Sequence, residues 1–161
     1  MKAFALAALL AGAALAVNPA LVAVHTVYLL PMASGMDQFL AGRLTARGVL
    51  QVVADPQHAD AVFTDHLGES FEDRMNELYA PPKKAEQASS NQYAFDAPRP
   101  PVSSFSRGRG AFFLVDRKTR AVLWSIYEQP RGTRPQQLEY TADRIARELS
   151  TSMEKARKGK R

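Results

Sequence analysis

The sequence predicts an α/β (α+β) fold: one mixed five-stranded sheet in the order β-α-β-β-(α)-loop-β-β-α, with two main helices packed on it. Three observations predict it. Short runs rich in β-branched and aromatic residues recur along the chain, bounded by Pro, Gly or Asp. The first two runs are separated by about four turns of helical periodicity, which suits a right-handed crossover to a parallel neighbour. Near the carboxyl end, Leu138, Ala142, Ile145, Leu149 and Met153 form an apolar stripe at spacings of four, three, four and four.

The elements follow in order. Val24 to Leu30 (VHTVYLL) reads as a strand that Pro31 ends. Ser34 and Asp37 make the Ser-x-x-Asp pattern of a helix start. The Ser34 hydroxyl is expected to accept from an orphan backbone N–H, and Asp37 suits the positive end of the helix dipole. Met36, Phe39, Leu40 and Leu44 share one face, and Gly48 can close the helix in the left-handed conformation. Val49 to Asp55 is a second strand, Pro56 to Asp60 a turn or one helical turn, and Ala61 to Leu67 a third strand. Glu69 to Tyr79, with Phe71, Met75 and Leu78 at helical spacing, is a short helix.

Ala80 to Ser104 breaks the pattern. These 25 residues hold five of the ten prolines and show no periodicity, so they read as a flexible Pro-rich insertion. Tyr93 and Phe95 are its aromatics. Loops of this length are either functional or disordered. Ala111 to Asp116 and Arg120 to Glu128 form a hairpin joined by Arg117-Lys118-Thr119. Strict alternation puts Val122, Trp124 and Ile126 on one face and Leu123 and Tyr127 on the other, so both faces are expected to be covered. Trp124 and the Phe112-Phe113 pair read as core. Pro135 suits a first helical position, and Asp143–Arg147 and Arg144–Glu148 are spaced as ion pairs on the wet side of the last helix.

The chain has 161 residues and no cysteine. Disulfides, thiolate metal sites, a cysteine nucleophile and a lipidated cysteine are therefore excluded. Residues 1–23 resemble an export signal. Lys2 is followed by an apolar run from Ala3 to Val17, Asn18-Pro19 breaks it, and cleavage is expected after Ala14-Leu15-Ala16 or Leu21-Val22-Ala23. The run is about 15 residues, short of the ~20 needed to span a bilayer. A periplasmic or secreted protein is expected, with residues 24–153 as a single domain and 154–161 as a basic tail. Net charge is +5. Lys155, Arg157, Lys158, Lys160 and Arg161 carry much of the excess and are candidate contacts for a polyanion or an anionic membrane, but the favoured expectation for them is a frayed, solvated end.

Several phrases carry a resemblance when taken together: "VYLLPM", "LAGRLTARGVLQVVAD", "ADAVFTD", "FLVDRKTRAVLWS" and "TADRIARELS". In this order they resemble the amino-terminal α/β domain of the TolB family of periplasmic Tol-system proteins, and the related domain of curli-transport lipoproteins. The match covers most of Val24 to Met153 apart from the insertion. The chain departs from the first pattern in showing no β-propeller sequence, and from the second in having no lipidated cysteine. The resemblance implies an envelope domain that acts through protein contacts.

No motif of catalysis emerges. The junction after the first strand offers Ser34 and Gly35 as candidate ligand or anion contacts, but no G-x-G-x-x-G or G-x-x-x-x-G-K-[ST] accompanies them. "SRGRG" offers Arg107 and Arg109 as a candidate anion clamp. His25, His58 and His66, with Asp55, Asp60, Asp65 and Glu69, lack metal-site spacing. Asp65 and His66, adjacent on a strand, are expected to point to opposite faces. No G-x-S-x-G is present. The sequence thus assigns no catalytic, cofactor or metal residue and suggests no nucleic-acid partner. Its leading expectation is a non-enzymatic envelope module that binds an unidentified protein, through an open sheet edge or the Pro-rich loop. The alternatives are a peripheral binder of anionic membrane or polyanion, and a small ligand-binding protein or hydrolase with its site at the first strand–helix junction.

Overall fold

The computed structural model describes residues 18–79 and 110–159. Strands β1 (Thr26–Leu29), β2 (Gln51–Val52), β3 (Ala61–Thr64), β4 (Ala111–Asp116) and β5 (Val122–Tyr127) form one sheet in the order β2-β1-β3-β4-β5. β2 and β3 both pair parallel to β1, while β3–β4 and β4–β5 are antiparallel. The mixed α/β fold expected from the sequence is therefore present. Helices α1 (Met36–Arg47) and α3 (Pro135–Gly159) pack over one face of the sheet, and α2 (Glu69–Tyr79) covers part of the other.

Each helix forms where its apolar residues can be buried. Leu40 and Leu44 of α1 meet Leu138, Ala142, Ile145, Leu149 and Met153 of α3 over Val27, Phe63 and Leu114 of the sheet. Full burial of one such large side chain stabilises the fold by about 1.5–3 kcal/mol. Trp124 closes one end of this core, with its ring 6.1 Å from that of Phe63 and its Nε1–H donating to Ser152 Oγ at 3.0 Å. A smaller core lies beneath α2, where Phe71 and Met75 pack on Leu30, Val62 and Val115. Gly48 ends α1 at φ 60°, and its N–H donates to the carbonyls of Leu44 and Thr45.

Several expectations are corrected. The second strand is two residues long, because the chain leaves the ladder to β1 for the 3-10 turn Pro56–His58 that Asp55 caps. The third strand stops at Thr64, whose hydroxyl accepts from the His66 N–H and donates to the His66 carbonyl, turning the chain. Asp65 and His66 lie beyond the strand, so its alternation does not separate them.

In the hairpin, a register shift at Leu114/Val115 inserts one extra residue into β5. Leu123 and Trp124 consequently share the larger core. The core beneath α2 holds no residue of β5, and Val122 and Tyr127 are left 41% and 67% exposed. The expected covering of both faces of β5 does not occur. On α3, Asp143 binds Arg147 as expected, but Arg144 reaches Glu128 at 3.2 Å rather than Glu148. Residues 154–159 continue α3 with Ala156 buried, so this stretch is helix rather than frayed tail.

The first described residues pack onto the domain. Pro19–Ala23 is a 3-10 turn capped by Asn18, whose side chain accepts from the Ala20 N–H at 3.0 Å. Leu21 is fully buried in the larger core, and Val24 is buried beside it. Asn18 to Ala23 lie within the segment expected to be an export signal, and Val24 directly follows it. Residues 1–17 and the Pro-rich insertion at 80–104 lie outside the described residues.

Candidate functional site

The parallel part of the sheet places a switch in chain direction beside β1. From β1 the chain crosses through α1 to β2 on one side, and β3 then enters on the other. In open α/β sheets, ligands favour the crevice at the carboxyl ends of strands flanking such a switch. Here those ends bring together Ser34, Gly35 and Asp37 from the β1–α1 junction with Asp65 and His66 from the end of β3.

The junction is held by carboxylates. The Met32 N–H donates to Asp37 Oδ1 at 3.1 Å, and the Ala33 N–H donates to Asp65 Oδ2 at 3.0 Å. Asp65 Oδ1 lies 2.7 Å from His66 Nδ1. Ser34 does not cap α1: the cap position is Gly35 (φ 71°), with no side-chain cap bond, and Ser34 itself sits at φ 58°. That conformation is uncommon for a residue with a side chain. The Ser34 cap expected from Ser-x-x-Asp is thus replaced by Asp37 reaching back to Met32, since a left-handed pair at Ser34-Gly35 swings the serine away.

An anion brought to Ser34 and Gly35 would meet two carboxylates and find the Met32 and Ala33 N–H groups already bonded. The arrangement therefore does not form a phosphate cradle. Arg107 and Arg109, the other candidate anion contacts, lie outside the described residues. Among the described residues no group of three or more His, Asp or Glu side chains is placed to hold a metal ion. A shallow depression of about 320 Å³ lies between α1 and α3, lined by Gln38, Phe39, Gly42, Arg43 and Glu139 and bridged by the Arg43–Glu139 ion pair.

Two basic features have structural roles. At the hairpin turn, the Arg117 and Arg120 guanidinium carbons stand 5.6 Å and 5.8 Å from the centre of the Tyr79 ring. The Tyr79 hydroxyl donates to the Pro56 carbonyl at 3.0 Å, and Arg117 Nη1 donates to the Gln57 carbonyl. Burial pushes the Tyr79 pKa up despite the two arginines, so the phenol stays protonated and keeps donating. This cluster clasps the β4–β5 turn to the end of α2. Lys155, Arg157 and Lys158 are exposed near the carboxyl end of α3, where positive charge complements the helix dipole. Lys160 and Arg161 lie outside the described residues.

The remaining feature is the outer edge of β5. Among the described residues no strand pairs with it, and its sequence, Val122-Leu123-Trp124-Ser125-Ile126-Tyr127, contains no charge and no proline. The Glu128 N–H donates to the Gly110 carbonyl, which sets the alternation of the ladder. Ile126 and Trp124, two and four residues earlier, turn their backbone groups toward β4. Ser125 and Tyr127 turn theirs outward. Both of these residues are exposed.

No protein-family model matches the chain, and no curated protein and no solved structure matches it. The TolB-type resemblance accordingly rests on the sequence phrases alone. Among the described residues no helix is long and apolar enough to cross a membrane.

Proposed function

We propose that this protein is a non-enzymatic domain of the bacterial cell envelope, and that it binds another protein by adding an extended segment of that partner to the free edge of β5. The single observation that carries this reading is the composition of that edge. Sheet edges left open to solvent are normally blunted by charge, proline or shortness, because unpaired N–H and C=O groups invite another strand. The β2 edge follows that rule with its two residues. β5 has six residues, none charged, and its bulge at Leu123 leaves Trp124 to Tyr127 regular. A partner strand would bond the outward backbone groups of Ser125 and Tyr127, and the exposed Tyr127 ring would pack on its side chains.

The export signal read in the sequence supports an envelope location, and the resemblance to the TolB-type domain supports action through protein contacts. The first strand–helix junction supports catalysis poorly, because its carboxylates are engaged in holding backbone N–H groups.

A photo-crosslinking residue placed at Tyr127 in cells tests the proposal, with one at Gln136, exposed on α3, as the control. A discrete adduct is expected from position 127 and none from 136. Ser125→Pro, which removes an outward N–H and spares the ladder to β4, is expected to abolish the adduct in a folded protein. An adduct of equal yield in the Ser125→Pro protein would overturn strand addition.

A further inference from the structure

We propose that Asn18 to Val24 is a permanent part of the folded domain, and that export processing cuts upstream of it, between Ala16 and Val17. This rests on the export reading above. The sequence offers two cleavage positions, after Ala16 and after Ala23, and the fold distinguishes them. Cleavage after Ala23 would remove Leu21, which is fully buried in the larger core, and with it the 3-10 turn that packs against α3 and β5. It would also remove the Asn18 cap and its bond to the Ala20 N–H. Val24, 3% exposed with the turn in place, would lose Leu21 beside it and the Leu21 carbonyl that accepts its N–H.

Cleavage after Ala16 leaves all of this intact. It also fits the peptidase better. Alanines stand at both small-residue positions, Ala14 and Ala16, whereas the downstream position puts Leu21 in the first of them. Asn18-Pro19 then serves the folded protein: proline occupies the first position of the turn and asparagine caps it. The reaction is hydrolysis of the Ala16–Val17 amide by a signal peptidase. Water supplies hydroxyl to the Ala16 carbonyl carbon and a proton to the Val17 nitrogen, so the leader departs as a carboxylate and the domain begins with a free amine.

The test is the intact mass of the protein recovered from the envelope fraction after expression of the full chain. A mature form beginning at Val17 is expected. A form beginning at Val24 would overturn this inference and leave the export reading standing. A chain that keeps Met1 to Ala16 would overturn the export reading, and the processing step with it.

Two further experiments separate the parts. Ala16→Tyr is expected to accumulate precursor and Ala23→Tyr, on an exposed site, is not; the reverse pattern contradicts the proposal. Purified chains beginning at Val17 and at Val24 are then melted side by side. The shorter chain is expected to lose on the order of 10 °C in Tm, the scale of deleting a buried leucine. Equal melting temperatures would show that Asn18 to Ala23 is not part of the fold, whatever the fate of export.

Discussion

The Asp60 carboxylate, just before β3, accepts hydrogen bonds from the backbone N–H groups of both His25 and Thr26, at 2.9 Å and 3.0 Å, and so fastens the start of β3 to the start of β1. In return the Asp60 N–H donates to the Thr26 carbonyl and hydroxyl. Thirty-four residues separate Asp60 from Thr26, so this bond sets the register of two parallel strands that no hairpin connects. Asp60→Ala is expected to destabilise the fold by about 1–2 kcal/mol, the cost of leaving amide donors unpaired, as measured by urea unfolding.

The same carboxylate predicts the acid response. Burial works to raise the Asp60 pKa, but the bonds from His25 and Thr26 outweigh it and hold the group below its ordinary value. Asp116, held by Thr119 and Lys118, and Asp143, held by Arg147 and Arg47, are lowered as well. Groups depressed in the folded state contribute stability above the unfolded pKa, about 4, and lose it as pH falls through the folded value. Stability is therefore expected to be flat from neutral pH down to about 4 and to fall below it. Asp60→Asn is expected to make that fall shallower, as read from Tm against pH.

At the first junction the two candidate caps separate cleanly. Asp37 holds the Met32 N–H, and Ser34 makes no cap bond. Asp37→Ala is expected to cost about 1 kcal/mol and Ser34→Ala less than about 0.5 kcal/mol. Ser34→Gly, which relieves the positive φ, is expected to leave stability equal or slightly raised. Chemical denaturation of the three variants checks the order; a Ser34→Ala loss as large as that of Asp37→Ala would refute it.

Gly110 marks the entry to β4. It sits at φ 103°, and a Cβ there would lie 2.8 Å from the Gln129 Cα. Its carbonyl also accepts from the Glu128 N–H across the mouth of the hairpin. Gly110→Ala is expected to destabilise by about 2 kcal/mol through combined clash and backbone strain. The readout is the midpoint of denaturant unfolding.

Much of this architecture was legible in the sequence because it depends on local periodicity. The stripe from Leu138 to Met153 is buried as its spacing requires, Pro135 opens α3, Gly48 closes α1, and Glu69 to Tyr79 forms a helix with the bounds its pattern suggests. What escaped notice depends on contacts distant in sequence. Leu21 reads as part of an apolar leader until α3 is seen packing on it. Asp65 reads as a strand residue until its bond to Ala33 is known. The bulge at Leu123 has no composition signal, yet it brings Leu123 to the face of Trp124. Tyr127 keeps the face its alternation gives it and is exposed because the core under α2 does not extend to β5. The candidate site was half visible: Ser34, Gly35 and Asp37 read as one junction after the first strand, but the Asp65 carboxylate reaches it only through the topology.

Amide hydrogen exchange at Ser125 and Tyr127 tests the central claim most directly. It is measured residue by residue in the isolated protein and in the non-covalent complex of the unsubstituted protein with the partner that the crosslink identifies. The account predicts fast exchange at both amides in the free protein and strong protection in the complex, with the α3 surface unchanged. Fast exchange at both positions in the complex would contradict strand addition at β5.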